Sequence, residues 1–85
     1  EQETLNLLYN SIANLPEKYQ KIFELNFQQG LKNAEIATLL GVTESAIKKQ
    51  KAQMIELLRK DLRKKTGDDL LAIMIILSYL YNHIN

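Results

Sequence analysis

The stretch Asn33-Ala34-Glu35-Ile36-Ala37-Thr38-Leu39-Leu40-Gly41-Val42-Thr43-Glu44-Ser45-Ala46-Ile47-Lys48-Lys49 decides how the whole chain is read. Asn33 suits the cap of a short helix holding Ile36, Ala37, Leu39 and Leu40. Gly41 can end that helix because glycine reaches the left-handed conformation at little cost. Thr43 is placed to cap the next helix, with Val42 before the cap and Ile47 four positions into the helix as a hydrophobic staple. A short helix, a glycine turn and a capped longer helix make a helix-turn-helix unit, whose second helix can lie in the major groove of DNA. Ala37 is small where the helices cross, and Ile36, Leu40, Val42 and Ile47 are expected to fill the space between them.

Downstream, nothing breaks a helix before Thr66-Gly67, so the second helix of the unit is expected to reach about Lys65. The slots three and four residues after Ile47 are Gln50 and Lys51, both polar, and apolar residues resume at Met54, Leu57, Leu58 and Leu62. The first turns should therefore be poorly buried, with Lys51 laying its methylene stem on the core and exposing its ammonium. At about 100° per residue from Ile47, Ser45, Lys49, Ala52 and Glu56 fall near the opposite face, with Lys48 and Gln53 on its flanks. Such a helix start can donate hydrogen bonds to base edges and phosphates.

Upstream, Leu5, Leu8, Ile12 and Leu15 recur at helical spacing and predict a first helix of about three turns. Pro16 is expected at the first position of a second helix, with Glu17 beside it at the positive end of the dipole. That helix should bury Tyr19, Ile22, Phe23 and Phe27 as core, not as base-stacking platforms, and end at Gly30. No stretch alternates as a strand does. The fold class read from the pattern is all-α, a helix-turn-helix bundle of four helices plus an apolar C-terminal helix.

Composition narrows the function. Eighty-five residues, 9.8 kDa, leave room for one modest core and not for separate cofactor and substrate domains. With no Cys, one His and three Gly, the chain offers no disulfide framework, no thiolate metal site and little for a phosphate-cradling loop, so no cofactor is implied. Glu17, Glu24 and Glu35 are scattered and suggest no acid/base pair, which argues against an enzyme. The formal net charge is only +1, but residues 42–65 alone carry eight Lys and Arg against three acids, a net of +5. The basicity is concentrated on the second helix of the motif. Glu1 is not a start residue and no signal-peptide pattern follows it, so the chain is expected to be a piece of a longer protein.

The same helix, turn and helix also builds all-α domains that bind only protein. A helix-turn-helix regulator and a helical interaction module therefore stand beside promoter binding. The flanking blocks separate these readings. Leu15-Pro16-Glu17-Lys18-Tyr19, Ile22-Phe23-Glu24-Leu25, Gly30-Leu31-Lys32-Asn33, Glu35-Ile36-Ala37, Leu40-Gly41-Val42-Thr43, Ile47-Lys48-Lys49 and Leu57-Leu58-Arg59-Lys60 together resemble region 4 of bacterial sigma factors, most closely the extracytoplasmic-function group. The resemblance covers Leu15 to Lys60 without a gap. It implies a non-enzymatic cytoplasmic domain that recognises the minus-thirty-five promoter element and docks on the β flap of RNA polymerase, with an anti-sigma protein as a further partner. Carried over by position, it places Thr43, Glu44, Ser45, Lys48, Lys49 and Ala52 where the family's recognition helix meets DNA, and Lys32 and Asn33 at a phosphate-contacting helix start. Gln53 joins them as a candidate contact from its place on the flank. Gln50 and Gln53 stand where the family often has Arg or Lys, and Lys51 where it is usually apolar. Fewer cations imply weak, salt-sensitive binding by the isolated domain.

Residues 1–66 read as the DNA-binding unit. Residues 67–85 are of another kind, apolar without interruption from Leu70 to Leu77 and well short of the roughly twenty residues of a spanning helix. They are expected to form a fifth helix packing on helices 1 and 2 or on a partner, leaving an apolar patch that invites a homodimer through 68–85. His83 has no second ligand at metal spacing and is expected on the surface.

Overall fold

The computed structural model describes residues 2–66 and Ser78. It contains α1 (Gln2–Ala13), α2 (Glu17–Phe23), α3 (Asn33–Leu40) and α4 (Glu44–Thr66), and α2 runs directly into a π-helical turn, Glu24–Gln28. The fold is all-α, as the periodicity predicts. The expected fifth helix, the dimer surface within it and His83 lie outside the described residues, Ser78 apart.

Leu8, Ser11, Ile12 and Leu15 are buried at the three- and four-residue spacing of one helix face. The end of α1 is closed by tight backbone bonds from Asn14 to Ser11 and from Leu15 to Ile12. Gln20 Nε2 then donates to the carbonyls of Ala13 and Leu15, at 3.1 and 2.9 Å, which would otherwise be left without helical partners. Pro16 does not occupy the first helical position. Its ψ of 150° puts it at the N-cap, because the chain must turn away from α1, and its carbonyl accepts the N–H of Tyr19 and of Gln20.

The π-helical turn has no counterpart in the sequence reading. Gln29 N–H bonds back five residues to Glu24 O at 2.9 Å, and Gly30 follows at φ +74°. Leu25, three positions after the buried Ile22, points away from Tyr19 and Phe23 and joins a second apolar cluster with Ile36, Ala37 and Ile47, against which Leu31 packs. Leu40 and Val42, predicted to fill this space, are not part of the cluster. Those two are 38% and 42% exposed, and Leu39 beside them is 61% exposed. Gly41, at φ +72°, does end α3, with Val42 N–H bonded to Ala37 O.

The larger cluster joins Leu8, Ile12 and Leu15 to Tyr19 and Phe23 and to Met54, Ile55, Leu58 and Leu62 of α4. Phe27 stacks on Phe23 with ring centroids 4.7 Å apart. Leu57, expected in this core, sits at its rim, and Ile55 is buried instead, because α1 and α2 approach α4 from that side. Full burial of Leu58 and Leu62 supplies roughly 1.5–3 kcal/mol each. A polar tie fastens α4 to α1: Lys65 Nζ lies 3.1 Å from Asp61 Oδ2 and donates to the buried Ser11 hydroxyl. The Ser11 hydroxyl, then Lys65 and Asn14, hold the Asp61 carboxyl below the usual aspartate value. The distal half of α4 is thus anchored, and its first half is carried out beside α3.

Candidate nucleic-acid interface

Thr43 builds the start of α4. Its hydroxyl accepts the N–H of Ala46 at 3.0 Å and its carbonyl that of Ile47, as expected of an N-cap. Ile47 is fully buried and fixes the rotation of the helix. Ser45, Lys49, Ala52 and Gln53 are consequently turned outward on one face, and Thr43, Glu44 and Lys48 are exposed at its edges. Glu44 and Lys48 form an ion pair at 4.0 Å with both side chains more than half exposed. Such a pair is worth a few tenths of a kcal/mol, so Lys48 can exchange it for a phosphate at small cost. Lys49 forms no ion pair among the described residues. One turn beyond this face, Arg59 engages Glu56, and that hydrogen bond, ahead of the neighbouring Lys60 and Arg63, keeps the Glu56 carboxyl below its usual value.

Gln53 is less free than a flank position suggests. The Tyr19 hydroxyl donates to its Oε1 at 3.0 Å, so α2 orients the amide on the exposed face. The ring of Tyr19 stays in the core, as expected.

The start of α3 departs from expectation. Lys32, not Asn33, is the N-cap residue; its backbone N–H donates to Glu35 Oε1 at 2.7 Å, which also places a carboxylate at the positive end of α3. The Lys32 side chain is exposed and available to a phosphate. Asn33 is only 6% exposed, and its Oδ1 accepts from Lys51 Nζ. Lys51 itself is 1% exposed. The snorkelling expected of it does not occur: the ammonium turns inward to Asn33, and burial pushes its pKa below the ordinary lysine value. No local rule signals this pair, whose members are eighteen residues apart.

The arrangement brings hydroxyl, amide and ammonium donors onto the capped, outward start of one helix, with Lys32 on the neighbouring one. It suits an anionic, groove-bearing partner. Comparison with known families agrees. The family described as Sigma-70, region 4, matches residues 5–58, from α1 to the distal half of α4. The chain belongs to the sigma-70 region 4 family. No curated protein and no solved structure gives a significant match. As a sigma region 4 domain it is a DNA-binding helix-turn-helix unit of a sigma factor, acting in transcription initiation. α3 and α4 are its helix-turn-helix. None of the helices among the described residues is long and apolar enough to cross a membrane.

Proposed function

We propose that this sigma region 4 domain recognises the minus-thirty-five promoter element for an alternative sigma factor of the extracytoplasmic-function group. The start of α4 enters the major groove. Ser45, Lys48, Lys49 and Gln53 contact base edges or phosphates, with Thr43, Glu44 and Ala52 against the same surface, and Lys32 reaches the backbone from α3. The observation that carries this reading is the outward face of a capped helix whose other side is locked by Ile47. Asn33 takes no part by direct contact. Few cations face outward on these turns, so polymerase must help hold the domain at the promoter.

Docking on the β flap, in the cytoplasm, is the second element of the proposal. It draws support from the exposed Leu39, Leu40 and Val42 and from a shallow cleft of about 450 Å³ lined by Leu31, Ala34, Glu35, Thr38 and Leu39. An apolar surface of this kind suits protein and not phosphate. An anti-sigma protein is a further proposed partner, which would act by covering one of these two surfaces. The deciding experiment is titration of promoter duplexes at several salt concentrations with the wild-type chain and with Lys48→Ala/Lys49→Ala. Weaker binding and a shallower salt dependence in the variant are expected; absence of binding at low salt would leave protein docking as the role.

A further inference from the structure

The two apolar clusters lie one behind the other along α4, with Ile47 in the smaller and Met54, Ile55, Leu58 and Leu62 in the larger. Lys51 stands at the seam, one turn after Ile47 and one turn before Met54 and Ile55, where an apolar residue would join the clusters. A lysine here is costly: its ammonium is desolvated, and burial already lowers its pKa. What the lysine supplies in return is direction. Apolar packing between α3 and α4 tolerates sliding, whereas a buried hydrogen bond from Lys51 Nζ to Asn33 Oδ1 specifies one placement. Asn33 is the first residue of α3, and Lys32, the exposed cation at its cap, immediately precedes it in the chain.

We infer that Lys51 is a positioning residue for DNA binding: through Asn33 it locks the start of α3 against the middle of α4, so that Lys32 and the outward face of α4 meet one duplex together. The inference rests on the DNA-binding reading proposed above. Lys51 touches no nucleic acid in this account, and its effect passes through Lys32.

The test uses Lys51→Met, which keeps length and removes the ammonium, and Asn33→Leu, which breaks the bond from the other side. Both are combined with Lys32→Ala in double-mutant cycles of duplex binding. Lys51→Met, which removes the buried charge, is expected to fold at least as stably as wild type, and Asn33→Leu, which leaves the ammonium without its acceptor, less stably but still folded; both are expected to bind roughly tenfold more weakly at low salt. The salt slope of each should fall by about 0.9, the share of one phosphate contact. Adding Lys32→Ala should then cost nothing more. Residual dipolar couplings of the backbone amides should show both helices intact with the α3–α4 angle changed. Undiminished binding by both strut variants, a full additional loss on adding Lys32→Ala, or an unchanged interhelical angle overturns the inference while DNA binding stands. A wild-type chain that binds no duplex overturns the DNA reading itself and this inference with it.

Discussion

At the scale of single residues, Thr43 and Lys51 mark the range of what local pattern can tell. Thr43 caps α4 through its own hydroxyl, an interaction with a residue three places on, and a threonine ahead of a helical run announces it. Asn33 carries the same type of signal ahead of α3, but a tertiary partner overrides it: the buried Lys51 ammonium takes the side-chain oxygen that would have capped the helix. The pair has a consequence for pH. In the unfolded chain Lys51 holds its proton up to about pH 10.4. In the native state burial makes it release that proton at a lower pH. Between the two values the unfolded state binds more protons, so stability rises with pH; below that window the cost of burying the charge is present in full. Denaturant melts of wild type and Lys51→Met from pH 7 upward should therefore show the stability advantage of the methionine variant shrinking as the pH approaches the ordinary lysine value. A gap between the two that stays constant with pH would contradict this.

At the scale of elements, the helices were legible from apolar spacing and from their stops, and the packing between them was less so. Gly41 was recognisable as a helix stop, and its φ of +72° supplies the reason. A methyl group there would meet nothing within 4 Å, so the cost of Gly41→Ala is conformational, roughly 1 kcal/mol, and the melting temperature should fall by about 4–8 °C. A loss of several times that size in thermal denaturation would show that the turn is sterically closed. The π-helical turn escaped sequence reading because nothing among its residues announces a widened turn. Leu25, to which the apolar spacing assigned no place, joins Ile36, Ala37 and Ile47 where Leu40 and Val42 were expected. Leu40 and Val42, expected between α3 and α4, lie on the surface instead, where they support the proposal of a protein-docking face.

At the scale of the molecule, total charge hides what its distribution shows. A +1 chain contains a +5 segment that coincides with α4 and the turn before it, set between acidic flanks. Family membership places that segment in the helix-turn-helix of a DNA-binding domain, and the outward face of its first turns was foreseen at Ser45, Lys49 and Ala52 because Ile47 fixed the phase. The segment 67–85 contributes a separate proposal, a homodimer through its apolar run. Light scattering on the purified chain with and without residues 68–85 should show a larger particle only for the longer form; identical monomers would count against it. The central claim, that the start of α4 binds promoter DNA through its cations, is tested most directly by measuring duplex affinity across a salt series for wild type and Lys48→Ala/Lys49→Ala. The account predicts a well-folded variant whose slope of log affinity against log salt is smaller by about 1.8, two phosphate contacts. A slope equal to that of wild type, with affinity unchanged, would contradict it.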